Sequence, residues 1–175
     1  MQIQAWQKLF FSFNLLAYFY TMNKEIRAII SSLENILNGH PWYGRAVYEI
    51  LEEIDTDKQF IRPNGNHSLL DLLYHMVTWA EFTQKRIEKE PITDMEAFNA
   101  LDWRSIDPDQ HDWQSGFIAL KKAHDTIIEL LHVKDDAFLD EKVDYRNYNF
   151  RFLLNGLIQH NIYHLGQVAY LGKLI

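Results

Sequence analysis

The chain of 175 residues contains no cysteine. That excludes disulfides, Cys-ligated zinc, iron–sulfur clusters and a cysteine nucleophile, so any metal must be held by His, Asp or Glu. It also fits a reducing compartment, and a cytoplasmic location is expected. Glycine and proline are scarce, at seven and four residues, too few for a disordered chain or a loop-rich all-β fold. Positive charge is in deficit as well, with 17 Lys and Arg against 24 Asp and Glu. Without a basic stripe, nucleic acid is not an expected partner. An acidic chain likewise gains little from an anionic membrane surface. A mostly apolar run, Leu9 to Tyr20, falls short of the roughly 20 residues needed to span a bilayer.

The start of the chain differs from the rest. Lys8 is its one basic residue before that apolar run, and no small-residue cleavage site follows cleanly, which makes a weak signal peptide. Met22-Asn23-Lys24-Glu25-Ile26 reads like a natural start. Residues 1–21 are therefore expected to be an extension outside the fold, and residues 22–175 the domain.

What is present is helical period. Ile26, Ile29, Ile30, Leu33, Ile36 and Leu37 make one apolar stripe, spaced for a helix. Gly39-His40-Pro41 interrupts it, because Pro41 lacks a backbone donor and disfavours helix in the residue before it. The pattern resumes through Val47, Ile50, Leu51 and Ile54. Ser68 with Asp71 reads as a capping box opening a second helix to about Glu88, with Leu72, His75, Trp79 and Phe82 on one row. Glu90 to Asp112 is a long connection, with a short turn of helix predicted from Met95 to Leu101. Connections of that length commonly cross over an element or cover a site. A third helix starts near Asp112 and carries Trp113, Phe117, Leu120, His124, Ile127 and Leu131 on one face. The last, from Phe150 to Leu171, is uninterrupted by proline. Four amphipathic segments predict an all-α four-helix bundle.

His160 and His164 sit four apart within the apolar stripe of the last helix, so both rings are expected to point into the core. A buried imidazole needs a partner. Two such rings are either hydrogen-bonded separately or share a metal ion. His75, among large apolar residues on the second helix, can face the pair. Three neutral imidazoles then make a three-ligand site with an open position, the arrangement typical of catalytic metals. A divalent ion is expected, with no choice among zinc, nickel, iron and manganese. Metal affinity is expected to fall below about pH 6, where an unperturbed histidine takes up a proton. The catalytic residues are not identified. His124 is a candidate, against a plain reading as a core histidine bonded to a backbone carbonyl. Gln167 is another, to orient a ligand or to satisfy a neighbouring helix. Gly166 is expected to allow close helix approach, and His40 and His67 are expected in loops.

Ser68, His75 with Trp79 one turn later, and His160-x-x-x-His164-x-Gly166-Gln167 resemble the DinB/YfiT-like family of four-helix-bundle metalloenzymes. Pro41-Trp42-Tyr43-Gly44 and Leu153-Leu154-Asn155-Gly156 also look like it. The resemblance covers roughly Met22 to Lys173. It implies an up-down-down-up bundle with its long crossover between helices two and three. It also implies a divalent metal on His75, His160 and His164. Members similar to this chain include thiol-dependent S-transferases, a thiol-dependent isomerase and hydrolases.

The expected function is a metal-dependent enzyme acting on a small molecule, by thiol S-transfer or by hydrolysis. With no cysteine in the chain, the thiol would be an external one of low molecular weight. Peptidase chemistry of the His-Glu-x-x-His kind is disfavoured, because Asn161 follows His160 and supplies no general base. The alternative is a stress protein that binds a metal or small ligand without turnover. Dimerisation through a helix face is also expected to be open to a small, aromatic-rich bundle.

Overall fold

The computed structural model describes residues 23–91 and 94–175, so the expected extension, residues 1–21, lies outside the described residues. Within them the protein is all-helical. Its α-helices are α1 (Lys24–Asn38), α2 (Val47–Glu52), α3 (Leu69–Ile87), α4 (Met95–Ala100), α5 (Trp113–His132) and α6 (Phe150–Leu174). Short 3-10 turns at Thr56–Lys58, Pro63–Gly65 and Asp136–Asp140 punctuate the links. No described helix is long and apolar enough to cross a membrane. The central helix α3 lies against both α5 and α6, and α1 lies against the same two.

The stripe of α1 is buried as expected, from Ile26 to Leu37, and each such side chain contributes about 1.5–3 kcal/mol of hydrophobic stabilisation. Asn23 supplies no side-chain cap. The free N–H groups of Glu25 and Ile26 donate instead to the carboxylate of Asp136, at 3.2 and 2.9 Å. A distant acid thus satisfies the positive end of the helix. Arg151 on α6 donates to Glu25 and to Asp140, pinning the same corner. At the other end, a Cβ on Gly39 would fall 2.6 Å from Asn35 Oδ1 and 2.7 Å from its Cα. Only glycine lets the chain leave the helix there without displacing Asn35.

Ser68 opens α3 with the expected capping box. Its Oγ accepts from Asp71 N at 3.1 Å, and Asp71 Oδ2 accepts from Ser68 N at 2.7 Å. Arg62 holds the other carboxylate oxygen at 2.6 Å. Beyond that start, α3 departs from a one-stripe helix. It is buried nearly all round, including Thr78, Thr83 and Arg86, because α5 and α6 cover one side and the crossover covers another. Gly116 makes the α5 contact possible, since a Cβ there would sit 2.9 Å from Leu73 Cδ2 and 3.0 Å from Tyr74 Cε2.

The crossover from Glu88 to Asp112 is tied down on α3 by polar contacts. Thr78 Oγ1 donates to Leu101 O at 2.9 Å, and Arg104 Nη2 donates to Thr78 Oγ1 at 2.6 Å. Removing the cap at the start of α3 should loosen this frame measurably. Ser68→Ala is expected to lower the unfolding free energy by about 1 kcal/mol, read as a lower urea midpoint at constant slope; an unchanged midpoint contradicts the role assigned to Ser68.

Candidate metal centre

His75 lies near the middle of α3, and His160 and His164 lie one turn apart on α6. The packing of α3 on α6 brings the three rings together, with centroids 4.8 Å (75–160), 4.5 Å (75–164) and 4.3 Å (160–164) apart. One ring nitrogen from each lies within 4.8 Å of the others. His75 and His164 are buried, and His160 is half-buried.

The hydrogen bonds decide which nitrogens are free. His75 Nδ1 donates to the carbonyl oxygen of Asp102 at 3.0 Å, with the carboxylate oxygen Oδ1 equally close at 3.0 Å. Both partners only accept, so the proton is on Nδ1 and Nε2 carries the lone pair. His164 Nδ1 is set in the same way by Gln167 Oε1 at 2.6 Å. His160 differs: its buried Nδ1 has no partner, while its Nε2 faces His75 Nε2 at 2.9 Å. If His160 Nε2 donates to His75, its Nδ1 is left as a buried acceptor with no donor. If the proton sits on Nδ1, two lone pairs oppose each other at that distance. The protein alone satisfies neither arrangement, whereas a cation between the rings relieves the opposed lone pairs of the second and leaves only the Nδ1–H unpaired. The donor set therefore fits a divalent ion taken by imidazole.

Burial depresses the basicity of the two histidines on α6. It pushes His160 down to about 3, with the neighbouring charges of His164, His75 and His124 adding to the effect. It pushes His164 down to about 4, opposed by the Gln167 hydrogen bond. Both rings therefore stay neutral across physiological pH with lone pairs available.

Aromatic rings wall the cluster. Trp103 stacks on His75 with centroids 3.9 Å apart and planes 9° from parallel, and His67 stacks at 3.9 Å on Trp103 in turn. His67 is thus a loop residue, as expected, but part of this stack. Trp79 donates its Nε1–H to Asp102 Oδ1 at 2.6 Å. The sequence reading missed Asp102 and Trp103. The only signal was the length of the crossover that carries them.

Of the other candidates, Gln167 touches the cluster and His124 does not. His124 on α5 is fully enclosed, its Nδ1 3.2 Å from the Tyr48 hydroxyl and its Nε2 3.0 Å from Asn161 Nδ2. The expected backbone carbonyl partner is replaced by these two side chains. Gln167, half-buried, binds His164 on its own helix through Oε1 at 2.6 Å. Gly166 does not serve close approach: it is exposed, and an added Cβ would meet nothing within 4 Å. Nothing in the structure explains a glycine there. His40 is an exposed loop residue.

A family model described as the DinB superfamily matches residues 44–168, a range that includes all three histidines and leaves α1 outside. No curated protein matches the chain.

The depressed histidines make stability pH-dependent. His124 is held at about 3 by burial, against about 6.5 in an unfolded chain. Between those values the unfolded state binds the extra proton, so stability is fully present above about pH 6.5 and is lost as pH falls. Chelator-treated protein should lose up to about 1.4 kcal/mol per pH unit from His124 alone, with His160 and His164 acting in the same direction. Urea unfolding from pH 7 to pH 5 reads this slope. His124→Gln should reduce it by about one proton, and an unaltered slope would contradict a buried neutral His124.

Proposed function

The chain belongs to the DinB superfamily, and on that premise we propose that it is a metal-dependent enzyme acting on a small molecule, with a divalent ion held by His75, His160 and His164. The four longer helices would then form the family's up-down-down-up bundle, with the crossover from α3 to α5 as its long connection. The observation that carries the reading is the set of converging ring nitrogens, two with their opposite nitrogen already bonded to an acceptor. Such partners fix the tautomer and aim the lone pair of a ligating histidine. A divalent ion in such a site supplies Lewis acidity, which makes water or a thiol a usable nucleophile near neutral pH.

The protein's own residues do the rest. Asp102 orients His75, and Gln167 orients His164. Trp79 and Trp103 keep water from two sides of the rings. Among the described residues, the carboxylate that reaches this cluster is Asp102, and it is already held by His75 and Trp79. It is poorly placed to accept a proton from an attacking water. Asn161 beside His160 is turned toward His124. These commitments favour transfer of an external thiol to an electrophile over hydrolysis, since a thiol is the more acidic nucleophile and needs less help from a base.

Metal analysis of protein purified without a histidine tag should give about one divalent ion per chain. Replacing His75, His160 or His164 by Ala should remove most of it while sparing helix content. Asp102→Ala should weaken binding by about 10- to 100-fold with all three ligands intact. A thiol-consumption screen with several electrophiles tests turnover. Retention of full activity after all three histidines are replaced would overturn the reading, and stoichiometric metal without turnover of any thiol or ester would favour a binding protein.

A further inference from the structure

A cavity of about 200 Å³ opens beside the histidine cluster, between α3 and α6. Trp79 and Thr83 line it from α3, Gly156, Leu157 and His160 from α6, and Tyr148 from the link before α6, with the exposed ring of Phe152 on its rim. No charged side chain lines it. Thr83 Oγ1 is committed to the carbonyl of Trp79 at 2.9 Å, and the Trp79 N–H is committed to Asp102. With Thr83 and Trp79 so committed, the polar atoms left on the lining are those of Tyr148 and His160, and the rest of the wall is apolar. The cavity is joined to the cluster by His160, which belongs to both.

Gly156 bears on how the cavity stays open. Glycine inside a helix is unfavourable relative to alanine, and here no packing demands it, because an added Cβ would meet nothing within 4 Å. Its missing side chain leaves the space free. A dry apolar cavity of about 150 Å³ accommodates benzene, so this one has room for an aromatic ring or a compact alkyl group of about six to eight heavy atoms. A charged group would lose hydration there with no opposite charge to pair with.

From this we infer that the cavity between α3 and α6 binds an uncharged hydrophobic group of about benzyl size, carried by the small-molecule electrophile whose reacting atom lies at the histidine cluster. The inference rests on the metal-dependent reading above and assigns its substrate class. Gly156 and Phe152 set the size of group admitted, while Trp79, held by the same carboxylate that orients His75, keeps the wall of the cavity in register with the cluster.

Toluene tests the cavity directly, by calorimetry or by protein chemical-shift changes, with benzoate and benzylammonium as charged controls. The protein should bind toluene with a Kd of about 1 mM or tighter and each control at least about tenfold more weakly. Gly156→Leu, which builds a side chain into the void, should weaken toluene binding at least about tenfold at unchanged metal content. Should that variant fail to fold, Phe152→Ala removes an exposed rim residue and should weaken binding severalfold. Equal binding of toluene and the charged controls overturns the inference, as does toluene binding that survives whichever of these variants folds. Measuring zinc and nickel uptake on the same samples separates the two readings. Metal uptake without toluene binding sinks the cavity assignment alone, and toluene binding that Gly156→Leu abolishes in a protein taking up neither metal keeps the cavity and sinks the metal site.

Discussion

The carboxylate of Asp102 accepts from Trp79 Nε1 at 2.6 Å and stands 3.0 Å from His75 Nδ1, while the backbone oxygen of the same residue accepts from that imidazole. One residue of an irregular crossover thereby satisfies two donors on α3, one buried and one half-buried. Buried donors left unpaired cost about 1–3 kcal/mol each, so the crossover is held where these groups require it. Its placement in turn seats Trp103 on His75 and encloses the cluster. If the crossover were lifted, His75 would lose both its tautomer and its cover.

Enclosure carries an energetic tension. The apolar stripes of α1, α3, α5 and α6 supply the driving force for folding, yet they surround polar groups. Arg86 is buried with its Nε and Nη1 unpaired and one bond from Nη2 to Glu90 O at 2.7 Å. His160 keeps an unpaired Nδ1. Buried polar groups of this kind persist where something outside the core needs them. For His160 the proposed metal would supply that need by taking a lone pair, and the same burial holds the ring neutral. The His124–Tyr48–Asn161 chain lies directly behind it and fills the space between α2, α5 and α6 with hydrogen bonds rather than with a second open site.

Much of the helical layout was legible in the residues. Periodic apolar positions predicted every long helix, and Ser68 with Asp71 located the start of α3 because a capping box is a local device. The break at Gly39-His40-Pro41 and the short α4 were readable for the same reason. The three stripe histidines were readable as core-facing because a helix of fixed pitch leaves little choice of direction. Residues whose role depends on a distant partner were not readable. Asp136 caps α1 from more than a hundred residues away, and Asp102 and Trp103 lie in a segment with no period of its own. Gly166 misled because a glycine's reason lies in what stands over its Cα, which the chain around it does not encode. Gly116, with α3 pressed against it, shows the same rule from the other side.

Local chemistry, then, is what the sequence determined by itself: helices from spacing, caps from short polar side chains, the absence of thiol ligands from composition, and a set of histidines on inward faces. Tertiary structure decided which nitrogen of His75 and of His164 is free, how far protonation of His124, His160 and His164 is suppressed, and that an apolar cavity adjoins the cluster. Those properties depend on desolvation and on acceptors brought from elsewhere in the chain, and neither exists until α3, α6 and the crossover have packed.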